Sequence, residues 1–413
     1  ELQGVVDSIT MGELVNSADL NFNGNNLSAG DGNGVDTLIT NFISDLDTIQ
    51  QDGNTNAADF NRNRNSPLAF GYRARLNFDT SFTGRDRLRT RIQARNLRNI
   101  SQFGTGSAQV DPNKYGFTAN DDIRLAKLHY RFPLGERVMF HIGAAGMSID
   151  DIIDSGTTSP YAVDGLPLGL AYNNLFYEMP NADGAVGANI HISDIFSIDI
   201  GYFADSPNDA NLGIFGGGFS IPIQLNFDVA DNFKAAFGYG YSWQPGGART
   251  DGNVGVAAST SILGASPFLW ANSNGNIQEA ATSANHWNLS LSWDATENFN
   301  VSAFLGYANA TATSGIRVGD NADYWTWGIN LAFPDLFRED DVIVAGFGQL
   351  PTLAGVTNGP SDRSPAYIAN LEYRFPLTDN IEMAPGFYAV FNPNGNSNND
   401  TIFVGMLRTI FNF

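Results

Sequence analysis

Apolar and polar residues alternate along most of this chain with a period of two. Trp287, Leu289, Leu291 and Trp293 share one parity, while His286, Asn288, Ser290 and Ser292 hold the other. Phe219, Ile221, Ile223, Leu225 and Phe227 oppose Ser220, Gln224, Asn226 and Asp228 in the same way, and Phe299, Val301, Ala303, Leu305 and Tyr307 oppose Asn298, Asn300 and Ser302. Side chains on a strand point alternately to its two faces, so this pattern predicts strands with one apolar and one polar face. Turn residues bound sixteen such segments: 2–9, 67–80, 86–98, 122–133, 136–147, 184–193, 196–205, 218–229, 232–243, 285–294, 298–309, 322–333, 341–350, 365–375, 380–391 and 400–413. No linker or compositional break divides them, and 1–413 reads as one domain.

The connections alternate in length. Short turns such as Thr83-Gly84-Arg85, Ser193-Asp194-Ile195 and Ala295-Thr296-Glu297 are followed by long Gly/Asn/Asp-rich loops, the first of them 10–66 and another 148–183. Seven short turns and eight long loops in strict alternation fit an up-and-down barrel with both termini at the short-turn end. Sixteen strands enclose more space than side chains fill, so the lumen is wet and the polar face turns inward. The apolar face then requires lipid. The expected fold is all-β: a 16-stranded antiparallel transmembrane up-and-down β-barrel. Trp243, Trp287, Tyr307, Phe333, Phe375 and Phe391 stand near strand ends, where interfacial girdles form.

Composition narrows the function. The 413 residues hold 22 Lys+Arg against 43 Asp+Glu, a net charge of −21 that argues against nucleic acid as a partner. Charged residues make up 16%, below the roughly 25% usual for soluble domains. There is no Cys, hence no disulfide and no thiolate metal site. No apolar run reaches the ~18 residues of a membrane helix, which does not count against strands. Nucleotide, zinc-protease and serine-hydrolase motifs are missing, and His129, His141, His191 and His286 fall on different strands, so neither an enzyme nor a cofactor is expected. The acidic stretch 31–36 has Phe42 where a calcium loop needs Glu, and no metal site is expected. Val35, Leu38, Ile39, Phe42, Leu46 and Ile49 recur at helical spacing within the first loop.

Charge is sorted along the chain. Residues 1–61 carry ten acids and no Lys or Arg; residues 62–98 carry ten cations against Asp79 and Asp86. Arg87, Arg89, Arg91 and Arg95 alternate on one strand, flanked by Arg73 and Arg75 before and by Lys127, His129 and Arg131 after. A charge on the lipid face costs about 2–4 kcal/mol at mid-bilayer. These nine are therefore expected to form a basic lumenal wall.

The stretches LQGVV, YRARLNFDTSFTGRDRLRTRIQARN (72–96) and the closing RTIFNF resemble the porins of the cyanobacterial outer membrane, a group related to carbohydrate-selective porins and linked to S-layer-homology domains. The resemblance implies short periplasmic turns, long extracellular loops, an outer-membrane location among lipid and lipopolysaccharide, and a homotrimer. It implies that loop 148–183, between the fifth and sixth strands, folds into the barrel as a constriction bearing Asp150, Asp151, Asp154, Asp164 and Glu178. The last strand, ending in Phe411 and Phe413, resembles the signal read by outer-membrane assembly machinery. Members also carry a signal peptide and an N-terminal segment that grips peptidoglycan-linked polymer; neither is seen in these 413 residues, and peptidoglycan contact is expected only through such a segment. The function expected is passive diffusion of inorganic ions and small hydrophilic solutes. A channel selective for carbohydrates or iron species, or a structural anchor barrel, is the alternative. Most large aromatics fall on the apolar parity, which weighs against a sugar track in the lumen.

Overall fold

The computed structural model describes residues 71–96, 122–155, 160–161, 168–180, 183–248, 267–271, 277–359, 361–362, 364–395, 397–398 and 401–412. Its strands are β1 (Arg73–Thr80), β2 (Arg87–Arg95), β3 (Arg124–Leu134), β4 (Val138–Ala145), β5 (Gly184–Ser193), β6 (Phe196–Ala204), β7 (Phe219–Ala230) and β8 (Phe233–Gln244). Three short strands follow, β9 (Gly247–Ala248), β10 (Leu269–Ala271) and β11 (Ile277–Glu279). The series ends with β12 (Thr282–Thr296), β13 (Phe299–Ala312), β14 (Asn321–Pro334), β15 (Val342–Val356), β16 (Tyr367–Thr378), β17 (Ile381–Phe391) and β18 (Ile402–Phe411). Strands β1–β8 and β12–β18 form one 15-stranded sheet in sequence order, each antiparallel to the next; β9–β11 make a separate small sheet.

Polar side chains are buried and apolar ones exposed, the inverse of a soluble protein. On β12, His286, Asn288 and Ser290 are at most 1% exposed, whereas Leu289 is 49% and Trp293 46% exposed. Leu76, Phe78, Ile200, Ile221, Phe237, Leu305, Ile329, Phe347, Phe387, Phe403 and Leu407 continue the exposed apolar face round the sheet. Water penalises such a face, since each large apolar side chain favours burial by about 1.5–3 kcal/mol. Hydrocarbon removes the penalty.

Two aromatic belts frame that face. Near the long loops, Tyr239, Trp287, Tyr307 and Trp325 touch in series, with ring centroids 5.8, 5.3 and 4.5 Å apart. Toward the short turns, Phe196 meets Phe227 at 5.2 Å and Phe299 meets Phe333 at 5.0 Å. Trp287 and Trp293 are separated along β12 by roughly 20 Å at about 3.4 Å per residue. That matches an apolar band near 25 Å tall.

The sheet is curled on itself. One buried cluster joins Ala185 of β5 and Phe203 of β6 to Val344, Ile368, Tyr388 and Val390 of β15–β17, through Met147, Ile149, Ile153, Leu170, Tyr172 and Phe176 of the 148–183 connection and its edge. Strands so far apart in sheet order meet around one segment only when the sheet wraps it. Fifteen alternating strands leave β1 and β18 running in the same direction, so antiparallel closure takes one further strand. The expected strand 2–9 lies outside the described residues, as does the helical pattern at 35–49.

Short turns are pinned by an acid. Asp86 accepts from the backbone of Phe82 and Thr83, from the Ser81 and Thr83 hydroxyls, and from Tyr130 on β3 at 2.8 Å. These bonds, the Thr83 hydroxyl foremost, hold its carboxyl well below the usual range. Asp341 repeats the arrangement with Leu336, Phe337, Arg338 and Tyr373.

At the long-loop end several strands outrun their expected limits: β12 begins at Thr282, β13 reaches Ala312 and β15 reaches Val356. Beyond Tyr307 the outer face turns polar, and Asn309 bonds Asp323 at 2.9 Å while Thr311 bonds Asn321 at 2.8 Å. The strands leave the bilayer there, and the apolar half of the alternation stops before the pairing does.

Candidate functional site

The inner face is covered on one side and open on the other. Part of the 148–183 connection forms two short helices, α1 (Leu168–Ala171) and α2 (Asn174–Tyr177), which lie against β8 and β12–β15. Small lumenal residues let them approach: at Gly238 a Cβ would come within 2.7 Å of the Phe176 ring. Asn173, fully buried, caps α2 by accepting from the Leu175 N–H at 3.1 Å. Its amide donates to the Trp287 carbonyl and to Asn288 Oδ1, both at 3.1 Å. Asn330 donates to the Leu170 carbonyl at 2.9 Å, and Tyr177 donates to Gln224 at 2.8 Å. Arg374, beside Glu372 at 3.4 Å, donates to the Tyr161 carbonyl. Arg408 of β18 reaches the same Glu372 at 3.3 Å.

The start of the connection is fastened to β3–β7. Asp151 accepts Lys127 in an ion pair and bonds Ser148 at the head of its 3-10 turn. Asp199 accepts the Asp154 N–H at 2.9 Å, Asn189 at 2.7 Å and Asn226 at 2.8 Å. Asn189 also donates to the Ile152 carbonyl at 2.6 Å, so its Oδ1 is the acceptor for His141 Nε2 at 2.7 Å. His141 Nδ1 then accepts from His129 Nε2 at 3.0 Å, and this partner set assigns both tautomers. The imidazoles stack with centroids 5.1 Å apart. His286 lies apart from them, buried and bonded to Ser242 at 2.8 Å, and His191 is exposed.

Sheet register gathers the predicted cations. Arg73 pairs with Arg95, Arg75 with Gln93, Arg87 with Arg131, Arg89 with His129 and Arg91 with Lys127. All stand on the face opposite exposed Leu76 and Phe78. Arg89 forms an ion pair with Asp79 at 2.6 Å, Arg91 donates to Asn77 at 2.8 Å and Arg75 to Gln93 at 2.8 Å. Lys127 and His129 are buried beneath the connection, while the seven arginines are half-buried.

Arg124 belongs to this wall and parity hides it. A bulge at Ala126 makes Arg91 face Lys127 but Ile92 face Leu125, so Arg124 comes opposite Gln93 on the inner side. An inserted residue reverses the faces beyond it. Gly146, in the left-handed region at φ +60, lets the chain pass close to the Ala126 carbonyl there.

The acids of the connection are not one row. Asp151 meets the basic wall, Asp150 is half-buried and Asp154 exposed beside it, and Glu178 accepts the Tyr172 hydroxyl. Burial, reinforced by Glu178, pushes that hydroxyl well above its ordinary range, which keeps it a donor. Asp164 and Phe413 lie outside the described residues; Phe411 is exposed on the outer face with Phe403 and Leu407. The Glu372–Arg374–Arg408 group was not anticipated, because its members come from two strands whose contact only the fold supplies. Groups of three or more residues able to hold a metal are absent among the described residues.

Known proteins share this architecture. The P. putida protein in the structure described as high-pH OprB is 15% identical, with TM-score 0.52 over 83% of this chain and 87% of that one. OmpT, an outer membrane protein of Vibrio cholerae, is 8% identical, with TM-score 0.51 over 82% of this chain and 87% of that one. Two cyanobacterial proteins are nearer in sequence: sll0772 of Synechocystis sp. and alr4550 of Nostoc sp., each 30% identical over 83% of this chain. The aligned part spans 64% and 61% of those relatives, so the chain matches less than two thirds of their length. The carbohydrate-selective porin, OprB family, matches residues 16–413. With its inside-out strands, its aromatic belts and that match, the chain belongs to the carbohydrate-selective porin, OprB family.

Proposed function

We propose that the chain forms a water-filled channel through which inorganic ions and small hydrophilic solutes diffuse passively, and that the β1–β3 wall gives its interior a modest preference for anions. The observation that carries the reading is the unequal lining. Lumenal residues of β7–β15 are buried under the docked connection, whereas the arginines of β1–β3 are half-exposed beside it. Solutes then pass along the arginines. The net charge of −21 points the other way, toward cations. Ions, however, respond mainly to charges within about one Debye length, ~8 Å at physiological salt, and confined water between low-dielectric walls strengthens those. The nearby guanidinium groups outweigh distant loop acids.

The test is the zero-current potential of reconstituted channels in a tenfold KCl gradient. Arg87→Ser, Arg89→Ser and Arg91→Ser together should shift it toward cation preference. An unchanged potential removes these arginines from the conducting path.

A sugar-selective channel is the second reading, favoured by the family description. The large aromatics of the inner face, Phe203, Phe304, Tyr324 and Tyr388, are packed to near-complete burial and offer no stacking track. Saturable sugar entry into proteoliposomes would support it against free diffusion. A homotrimer set in lipid and lipopolysaccharide is the assembly expected; the neighbour OmpT of Vibrio cholerae is described in a trimer form.

A further inference from the structure

Two guanidinium groups of the open wall have no acid to answer them. Pairing of β2 with β3 sets Arg87 directly opposite Arg131. Such Cα partners lie about 4.5–5.5 Å apart, with both side chains on the same face. The nearest charges around Arg87 include Arg131 and Arg89 together with Asp79 and Asp151. Both carboxylates are already engaged. Asp79 takes Arg89 through two hydrogen bonds of 2.8 and 2.6 Å, and Asp151 takes Lys127 and Ser148. Among the described residues neither Arg87 nor Arg131 enters an ion pair, and the buried Nε of Arg87 has no acceptor.

That arrangement is unfavourable as it stands. Like charges directly opposite on a sheet repel, and a buried donor without an acceptor keeps its desolvation penalty. His141, opposite Arg131 on β4, offers no relief, since both of its ring nitrogens are engaged with His129 and Asn189. An anion between the two forks removes both penalties. Guanidinium is a planar fork of N–H donors that matches a pair of oxygens, and two facing forks suit a tetrahedral oxyanion presenting two edges. Chloride neutralises charge but cannot fill two forks.

We propose that Arg87 and Arg131 form a binding subsite for an oxyanion of the phosphate type at the short-turn end of the lumen. Arg87 opens β2 immediately after a short turn, and Arg131 lies three residues before the end of β3. Both are half-buried, within reach of a waterborne solute. The subsite deepens the channel reading and rests on it. A conducting pore needs such a site to hold its ion and also to release it.

The experiment records chloride current through reconstituted channels while inorganic phosphate replaces chloride at constant ionic strength. Wild type should show saturable block at low phosphate. Arg131→Lys keeps the charge but loses the fork; it should raise the half-blocking phosphate concentration by about tenfold or more. Arg87→Gln with Arg131→Gln should abolish the block, and Arg85→Gln in the exposed turn should behave as wild type. Conducting channels without saturable block, or with the same block in Arg131→Lys, overturn the subsite and leave the channel standing. Loss of all conductance in wild type would overturn the channel reading itself.

Discussion

Asn173→Ala should release the segment that narrows the lumen. The side chain makes three hydrogen bonds of 3.1 Å, to Leu175 N–H, to the Trp287 carbonyl and to Asn288 Oδ1, and it is wholly buried. A net hydrogen bond is worth about 1 kcal/mol, and losing an N-cap costs about the same. The change therefore weakens docking by roughly 2–3 kcal/mol, because the cap is one of the three bonds and is counted once. At about 1.4 kcal/mol per decade, the released fraction rises about 30- to 140-fold. Two assays read that fraction. Chymotrypsin should cut near Tyr172, Phe176 and Tyr177, buried in the docked state, at a rate that follows the released population. Single-channel records should show flicker between conductance levels in the same proportion. Cleavage and flicker within threefold of wild type would refute the assignment of Asn173 as the anchor.

Two further outcomes test the barrel itself. Leu289→Arg, midway along β12 on the outer face, should reduce stability on refolding into phospholipid bilayers by about 2–4 kcal/mol; an effect under about 0.5 kcal/mol, the scale of ordinary surface changes, would place that face in water. Because the chain has no Cys, single cysteines at positions 2–9 combined with Met406→Cys on the inner face of β18 should cross-link at alternate positions; no cross-link at any of them would refute closure through that segment.

Strands inside the bilayer were legible because lipid demands a large apolar residue at every second position. β12 reads that way from Trp287 to Trp293. Where it emerges, Ser283 and Asn285 replace aromatics on the outer face, and alternation no longer separates strand from loop. The small sheet of β9–β11 has two or three residues per strand, too few to show a period. The arginine ladder on β2 was legible through parity alone. Arg124 was not, since a single bulged residue defeats parity. The acids at 150–154 could be located by strand counting together with family resemblance, but the engagement of Asp151 with Lys127 depends on a 3-10 turn and a capping serine that no periodicity reports.

Residue size around the inner wall decides where the channel runs. From β7 to β15 many inward positions are small: Ser220, Gly238, Gly240, Ser242, Ser290, Ser302, Gly306, Gly346 and Gly348. A helix can lie against such a wall at backbone distance and fill its polar groups, as Asn173 and Asn330 do. On β1–β3 most inward positions are arginines, whose length and charge exclude a docked apolar helix, because covering them would strip water from several like charges at once. The connection consequently lies on the side of least bulk and least charge, and reaches the basic side only where Asp151 can neutralise Lys127. Water keeps the remainder. The same side chains that make β1–β3 impossible to cover are thus the ones left to meet the solute, so the position of the open path and its charge follow from one property of the wall.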